Sequence, residues 1–199
     1  MLTPQAKRYL AKSDPVMADL VKRLDVSRYQ IRDNTFRGLV ESIISQQLST
    51  KAARTIRKRF WEVLGTRLYK PQHILKTDIR KLRSCGLSGS KALFIKGLAL
   101  AVSSKKLNLK QVHAMDNEQV IEELIKHKGV GKWTAEMFLI FSLGRLDVFS
   151  LGDWGLRSAM IKLYKLKKPS EKKLLTIAEK WKPYRSVASF YLWASLDNQ

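Results

Sequence analysis

One aspartate in the sequence stands where its carboxylate could do chemistry. Asp153 comes directly before a segment whose apolar residues recur at helical spacing: Leu156, Ala159, Met160 and Leu163. We therefore predict that Asp153 caps a helix, whose dipole keeps the carboxylate ionised and in place. A fixed anion could stabilise an oxocarbenium-like sugar or orient a water molecule, as carboxylates do in glycosidic cleavage. The alternative is that the aspartate is a helix cap and nothing more.

A glycine-containing turn between two predicted helices could bind an anion. The segment Lys128-Gly129-Val130-Gly131-Lys132 separates an amphipathic helix, predicted to run to Lys128, from a helix predicted to begin around Trp133. Glycine at both ends permits positive φ and a close approach to a ligand. The N–H groups at the start of the second helix, with the Lys132 ammonium beside them, would attract a phosphate. The alternative is an ordinary helix connection.

The composition of the chain requires an anionic partner. The 199 residues include 38 Lys and Arg against 17 Asp and Glu, which gives a formal net charge of +21, and 45% of the residues are hydrophobic. This apolar fraction allows a folded core, which excludes a disordered basic tail. The excess charge indicates binding to nucleic acid or to an acidic membrane surface, and composition alone does not choose between them.

The cysteine and histidine content excludes several kinds of site. Because Cys85 is the single cysteine, an internal disulfide and an iron–sulfur or zinc site built on several thiolates are excluded. The histidines, His73, His113 and His127, lack the short spacing of metal ligands, so we expect no metal site. No apolar stretch is long enough to cross a bilayer, and residues 1–8 lack the apolar middle of a secretory signal. We expect an intracellular, soluble protein.

Helical periodicity dominates the chain, and strand-like alternation is nearly absent. One apolar stripe at helical spacing comprises Phe36, Leu39, Val40, Ile43, Ile44 and Leu48. Residues that end helices or form turns separate such stripes, for example at Pro71, Gly152 and Pro169. We therefore predict an all-α protein.

The glycine turn and the aspartate together resemble a known family. Lys128-Gly-Val-Gly-Lys-Trp-Thr-Ala-Glu-Met137, followed by Asp147-Val-Phe-Ser-Leu-Gly-Asp153, is similar to the helix-hairpin-helix superfamily of base-excision DNA glycosylases. Within it, the chain resembles the 3-methyladenine DNA glycosylase II branch, which removes alkylated purines. Residues 42–53 and 181–193 also match, so the resemblance spans roughly residues 30–197 with its motifs in the family's order.

The resemblance implies roles for the matching residues. Asp153 matches the catalytic aspartate. Gly129, Gly131 and Lys132 match the phosphate anchor of the hairpin. Trp133 stands where glycosylases that also cleave the strand carry a lysine nucleophile, and an indole cannot form a Schiff base. We expect a monofunctional enzyme that releases the base with water and leaves an abasic site, while Lys132, one position earlier, leaves a shifted lysine nucleophile open.

Base removal from a duplex requires the nucleotide to rotate out of the stack and a side chain to fill the gap. By the resemblance, Gln47 is the intercalating plug and Leu48 is an adjacent wedge. Leu48 also continues the apolar stripe, so it could pack in the core instead. Gln46 and Gln47 are paired amides at the end of an apolar helix, where packing gives no reason for them. Gln46, Ser49 and Thr134, within the matching segments, are also assigned to DNA binding.

A basic run follows the predicted plug. It comprises Lys51, Arg54, Arg57, Lys58 and Arg59. Such a run either faces phosphates or is a solvated helix face.

Aromatic stacking is expected to recognise the base. N-alkylation gives a purine a positive charge, which favours contact with electron-rich rings. Trp133 and Trp154 are the predicted pocket residues, and either could instead be a packing residue. Glu136 could face the cleft or pair with a lysine and is left unassigned. Asp147 resembles a structural position that ties the loop before Asp153 to a helix end.

The C-terminal segment that matches the family is expected to serve packing. Its aromatic and basic residues are assigned to the core and to packing between lobes: Trp181, Tyr184, Arg185 and Trp193.

These expectations combine into one architecture, two helical lobes with a basic DNA-binding cleft between them. Residues 34–145 form a bundle that carries the plug and the hairpin, and residues 1–33 plus 146–199 form a second lobe that carries Asp153. The active site is expected where they meet. The implied partner is double-stranded DNA containing alkylated bases, with no membrane contact, and the protein is expected to be a monomer. No cofactor is required, and the superfamily implies a monovalent cation at the hairpin carbonyls.

Some properties stay open at the level of sequence. The protein would act in the cytoplasm, at the nucleoid, of a prokaryote or in the nucleus of a eukaryote. The sequence does not choose among 3-methyladenine, 7-methylguanine and other alkylpurines, or between an electrostatic and a general-base role for Asp153. A glycosylase for a deaminated or oxidised base, and a non-catalytic DNA-binding module, are the alternative functions.

Overall fold

Capping residues and apolar stripes divide the chain into short helices. The computed structural model describes residues 2–29 and 35–197, which contain thirteen α-helices and no strand. In chain order these are α1 (Pro4–Ser13), α2 (Pro15–Arg23), α3 (Thr35–Ser45), α4 (Thr50–Leu64), α5 (Pro71–Lys76), α6 (Ile79–Ser84), α7 (Gly89–Ser103), α8 (Leu109–Val112), α9 (Asn117–Ile125), α10 (Lys132–Phe141), α11 (Trp154–Leu163), α12 (Glu171–Glu179) and α13 (Arg185–Asp197). The prediction of an all-α protein is confirmed. Within the described residues, none of these helices is both long and apolar enough to cross a membrane.

The first compact unit consists of the described residues of Met1–Ile31 and of Leu139–Gln199. In this unit α2 packs against α1 and α13, and α13 packs against α11. Its largest fully buried side chains are Leu10, Met17, Leu20, Trp181, Phe190 and Tyr191. The core role predicted for Trp181 is confirmed. This unit carries Asp153 and the loop that precedes it.

The second compact unit consists of the described residues of Arg32–Phe138. In this unit α3 packs on α4 and α7, and α5 and α6 also pack on α7. The ring centroids of Phe60 and Tyr69 lie 5.4 Å apart in an edge-to-face arrangement, which adds about 0.5–1.5 kcal/mol to their burial. This unit carries the predicted plug and hairpin.

The division between the units differs from the predicted one at its C-terminal boundary. It falls within α10, after Phe138, whereas the predicted boundary lies after residue 145. The reason is aromatic packing, because the Phe141 ring lies 5.7 Å from the Phe190 ring and 5.6 Å from the Trp193 ring. The other predicted boundary, between residues 33 and 34, lies outside the described residues. The cleft expected between the lobes stays a prediction.

A buried helix cap stabilises the first unit. The Asp14 side chain is 3% exposed, and its Oδ1 accepts hydrogen bonds from the N–H groups of Val16 at 2.8 Å and Met17 at 3.2 Å at the start of α2. Burial raises the pKa of the neighbouring Tyr164 phenol, and the Asp14 charge raises it further. Because Asp14 Oδ1 accepts both bonds, removal of the carboxylate would leave the Val16 and Met17 N–H groups without an acceptor.

Replacement of this cap tests its contribution to stability. We expect Asp14→Ala to lower the free energy of unfolding by about 1–2 kcal/mol, because the buried Met17 N–H and the partly buried Val16 N–H lose their acceptor. Ser170→Ala is the matched control in the same unit, since Ser170 caps α12 through one bond at an exposed position, and should cost about 0.5–1 kcal/mol. Chemical denaturation measures both values, and an equal loss in the two variants would contradict the buried-cap interpretation.

Candidate functional site

The hairpin of the second unit depends on one glycine. Gly129 has a φ of +87°, and a Cβ added there would lie 2.3 Å from the Phe94 ring. Both the backbone conformation and the close approach therefore require glycine. Gly131 has no positive φ, and a Cβ there would meet nothing within 4 Å. Of the two glycines, which both permit positive φ, only Gly129 uses this freedom.

The helices on either side of the hairpin start and stop close to the predicted positions. α9 ends at Ile125 rather than Lys128, because residues 126–129 form turns. α10 begins at Lys132, one residue before the predicted start, and Lys132 is exposed. The first-turn N–H groups of α10 therefore lie next to an exposed ammonium, an arrangement that can bind a phosphate.

Gln46 links the end of α3 to the hairpin. Its Nε2 donates hydrogen bonds to the Gly129 carbonyl oxygen at 2.7 Å and to the Thr134 hydroxyl oxygen at 2.8 Å. Thr134 is 2% exposed. The Gln46 amide nitrogen therefore binds the hairpin, and the buried Thr134 hydroxyl is one of its acceptors. The assignment of these two residues to DNA binding stays a prediction. Both residues hold the hairpin in position.

The segment between α3 and α4, residues Gln46–Ser49, is called the plug turn below. Gln47 is exposed and has a φ of +54°, a left-handed conformation that costs a non-glycine residue about 1–2 kcal/mol. Leu48 is 38% exposed, so the alternative that Leu48 packs in the core is wrong. Ser49 is exposed and caps α4 by accepting a bond from the Ala52 N–H at 3.2 Å. Gln47 and Leu48 are both accessible, and which of them is the plug stays open.

The plug turn is held by a lysine that the sequence patterns do not indicate. The Lys91 Nζ, on α7, donates to the carbonyl oxygens of Ile44 at 2.9 Å and Gln46 at 2.6 Å. Burial lowers the pKa of Lys91 below its ordinary value. These two charge-assisted bonds satisfy carbonyls at the C-terminal end of α3, where a cation is favoured. No local signal could have identified Lys91, because its partners are far away in the sequence.

Asp153 in the first unit is the predicted cap of α11, and this prediction is confirmed. Its Oδ1 accepts a hydrogen bond from the Leu156 N–H at 2.8 Å and another from the Trp193 indole N–H at 3.0 Å. A Cβ at Gly155 would lie 3.1 Å from Asp153 Oδ1 and 3.2 Å from Trp193 Cδ1. Glycine at position 155 therefore gives the carboxylate and the indole room to meet. Trp193, assigned to packing alone, also orients Asp153.

The loop before Asp153 is anchored to the start of α13. The Arg185 Nε donates to Asp147 Oδ1 at 2.6 Å and its Nη2 donates to Asp147 Oδ2 at 3.1 Å. The Ser186 N–H donates to the Leu146 carbonyl oxygen at 2.9 Å. The structural role predicted for Asp147 is confirmed, whereas Arg185 forms an ion pair rather than a core contact. Because Trp193 also lies on α13, this one helix positions both the loop and the carboxylate.

The predicted pocket residues differ in exposure. Trp154, next to Asp153, is 78% exposed, so the alternative that Trp154 is a packing residue is wrong. Trp133 is half-buried. Glu136 is only 6% exposed, so its carboxylate lies in the protein interior. An exposed indole beside a fixed carboxylate can stack on a planar, cationic base.

The described residues offer no side-chain site for a metal ion. Within residues 2–29 and 35–197, no group of three or more histidine, cysteine, aspartate or glutamate side chains could hold one.

Two glycines of the hairpin provide a matched test of its geometry. We expect Gly129→Ala to lower the free energy of unfolding by about 2 kcal/mol or more, because a methyl group adds left-handed strain and a clash with the Phe94 ring. Gly131→Ala should change it by less than about 0.5 kcal/mol, since its methyl group enters open space. Thermal or chemical denaturation measures the difference, and equal stabilities of the two variants would contradict the described hairpin.

Comparison with known proteins agrees with this arrangement. The HhH-GPD superfamily of base excision DNA repair proteins matches residues 40–183. DNA-3-methyladenine glycosylase 1 of Schizosaccharomyces pombe is 34% identical over 180 residues, which cover 89% of this chain and 79% of that protein. The structure of the Schizosaccharomyces pombe 3-methyladenine DNA glycosylase Mag1 with abasic DNA has a TM-score of 0.85 at 33% identity and covers 97% of both chains. The structure of a DNA-3-methyladenine glycosidase from Bacillus halodurans has a TM-score of 0.77 at 36% identity, covering 96% of this chain and 88% of that one. The chain therefore belongs to the HhH-GPD superfamily of base excision DNA repair proteins.

Proposed function

We propose that the protein is a monofunctional DNA glycosylase that excises alkylated purines, of the 3-methyladenine and 7-methylguanine type, from duplex DNA. The observation that carries this proposal is the Asp153 carboxylate, which the Leu156 N–H and the Trp193 indole hold at the start of α11. Membership of a base excision repair superfamily and the names of the similar proteins support it. The partner is double-stranded DNA that carries alkylation damage.

The chemistry needs an anion that does not move during the reaction. In an alkylated purine nucleotide the base is cationic, so the bond between C1′ and the purine nitrogen breaks with its electron pair leaving on a neutral base. The deoxyribose becomes an oxocarbenium-like cation, which the Asp153 carboxylate stabilises. Water then forms the new bond to C1′ and loses a proton, either to Asp153 or to solvent. Water is the only second reactant, so the reaction requires no cofactor.

Extrusion of the nucleotide is assigned to the plug turn. Gln47 and Leu48 are exposed at the end of α3 and can enter the gap that the rotated nucleotide leaves. The exposed Lys132 and the N–H groups at the start of α10 bind a backbone phosphate. The extruded cationic base stacks on indole rings, with Trp154 and Trp133 as the pocket residues. Because Trp133 has no amine, the enzyme releases the base without forming a Schiff base.

A monovalent cation at the hairpin is part of the proposal. Main-chain carbonyl oxygens are suitable ligands for such an ion. The His127, Gly129 and Gly131 carbonyls each accept a hydrogen bond within the protein, and a carbonyl oxygen retains a second lone pair for an ion. The hairpin donor set therefore fits a monovalent cation. We also propose that the protein acts where its DNA substrate lies, at the nucleoid of a prokaryote or in the nucleus of a eukaryote.

The Lys91 contacts generate a test of the plug turn. We expect Lys91→Met to weaken binding to a lesion-containing duplex roughly tenfold, because the loss of two charge-assisted bonds releases the strained turn. It should also lower the fluorescence that a 2-aminopurine beside the lesion shows on nucleotide extrusion. Lys96→Met is the control, since Lys96 lies on the same helix and donates to the Leu75 carbonyl oxygen at 3.2 Å, away from the turn. Unchanged fluorescence in Lys91→Met would refute the role of Lys91.

Asp153→Asn separates catalysis from helix capping. Asparagine caps a helix as well as aspartate does, so we expect the free energy of unfolding to change by less than about 0.5 kcal/mol. Base release from methylated duplex DNA should fall by about 100-fold or more, because the anion that stabilises the sugar cation is lost. The wild-type product should be an intact strand with an abasic site.

Two outcomes would contradict this proposal. If Asp153→Asn releases methylated bases at the wild-type rate, the aspartate is a cap alone. If neither protein releases methylated bases yet both bind the duplex, the chain is a DNA-binding module or acts on another lesion.

A further inference from the structure

The second unit contains an open cavity that neither the plug turn nor the hairpin lines. Its volume is about 480 Å³, and it lies between α3, α4 and the segment that follows α4. Its lining residues are Arg37, Glu41, Arg54, Arg57, Trp61 and Arg67. We call it the arginine cavity. Four guanidinium groups meet one carboxylate there, which leaves three positive charges in excess.

The protein itself neutralises only part of this charge. Arg37 Nε lies 3.6 Å from Glu41 Oε1, and Arg67 lies over the Trp61 ring with its Cζ 5.0 Å from the ring centroid. Arg54 and Arg57 have no ion pair or hydrogen bond with another side chain among residues 2–29 and 35–197. Two arginines that line the cavity therefore have no anionic partner in the part of the chain that the structure describes.

The chemistry of the cavity selects a phosphate group. A concave surface of one charge concentrates its field and attracts a counter-ion. Guanidinium groups bind phosphate oxygens in a planar, bidentate geometry, which makes arginine a preferred ligand for them. The buried Trp61 Nε1 has no hydrogen-bond partner within the described residues, so the cavity wall also holds an unused neutral donor.

The position of the cavity on α4 points to DNA as the source of the phosphate. Because α4 begins at Thr50, directly after the plug turn, Arg54 and Arg57 lie about 6 and 11 Å along the helix axis from its start. Successive phosphates of one strand follow each other about every 3.4 Å along a duplex. Both arginines therefore lie within about 11 Å, along α4, of the turn that is proposed to enter the duplex. A duplex bound at that turn carries phosphates on both sides of the lesion, so it is the polyanion nearest to the cavity.

We propose that the arginine cavity binds a backbone phosphate of the DNA that flanks the lesion. It is a second phosphate-binding site, separate from the hairpin. It determines the length of flanking duplex that the protein contacts beyond the extruded nucleotide. This inference rests on the proposed function only in taking DNA as the partner. The basic run of α4 is thereby divided, because Arg54 and Arg57 line the cavity whereas Lys51, Lys58 and Arg59 are exposed outside it.

Because only some basic residues of α4 line the cavity, two double variants of the full chain can be compared. Arg54→Gln with Arg57→Gln and Lys58→Gln with Arg59→Gln each remove two positive charges from α4. We expect the cavity pair to reduce the slope of log K against log salt concentration, for binding to a long unmodified duplex, by about 0.9 per lost phosphate contact. The control pair should keep the wild-type slope. Circular dichroism checks that both pairs fold.

Two further readouts distinguish the outcomes. Millimolar inorganic phosphate should raise the Tm of the wild type and of the control pair but not that of the cavity pair. Single-turnover base release from methylated duplex should be unchanged in the control pair. An inactive wild type would count against the proposed function and not against the cavity, because the salt slope and the phosphate response do not depend on catalysis.

The proposal is overturned if both pairs lower the salt slope equally, because the effect is then one of general charge. It is also overturned if the cavity pair loses the response to inorganic phosphate yet keeps the wild-type salt slope, because the cavity would then bind a free phosphate compound rather than DNA.

Discussion

One oxygen atom, Oδ1 of Asp153, accepts hydrogen bonds from two directions. The Leu156 N–H belongs to the helix that the aspartate caps, and the Trp193 indole comes from α13. Reaction at an electron-poor sugar needs a charge that is already in place, since reorganising a mobile carboxylate would cost part of the stabilisation. Two further features of the first unit help to fix the position of the carboxylate. Gly155 leaves space for the contact, and the Asp147–Arg185 pair fixes the loop that leads to it.

In the second unit, side-chain contacts hold a strained backbone turn in place. Gln47 adopts a left-handed conformation that is unfavourable for a residue with a side chain. Such a conformation persists only where surrounding contacts determine it. Lys91 binds the carbonyls on one side of the turn, and Gln46 joins the turn to the hairpin on the other. The plug turn and the hairpin, which are proposed to enter DNA and to bind its backbone, are therefore parts of one hydrogen-bonded assembly within this unit.

In the same unit, the geometry of α4 places its basic side chains on different faces of the helix. The basic residues of α4 follow one another closely in the sequence, yet a helix turns about 100° per residue and sends neighbouring side chains to different faces. Arg54 and Arg57 share a face with Trp61 and line the arginine cavity, while Lys58 and Arg59 are exposed elsewhere. The large net positive charge of the protein thus includes a concentrated, concave patch besides a diffuse surface field.

Local patterns in the sequence were sufficient for the helical class, the cap at Asp153, the start of α10 near Trp133 and the structural role of Asp147. Each depends on residues close together in the chain or on a motif that matched the family. The same patterns did not decide whether Leu48 packs in the core or whether the Thr134 side chain is buried, because the helical period does not say which face of a terminal turn meets a neighbour. Sequence also assigned Trp193 to packing, and it offered no indication of Lys91.

What the sequence by itself determined is the helical class, the helix starts at Asp153 and near Trp133, and the residue types that are available for chemistry, since propensity, capping and periodicity act over a few residues. Only the tertiary structure decided which distant groups meet: the Trp193 indole with Asp153, the Lys91 ammonium with the plug turn, and four arginines around one cavity. These contacts join residues that are remote along the chain, and their existence depends on how complete helices pack rather than on any local preference.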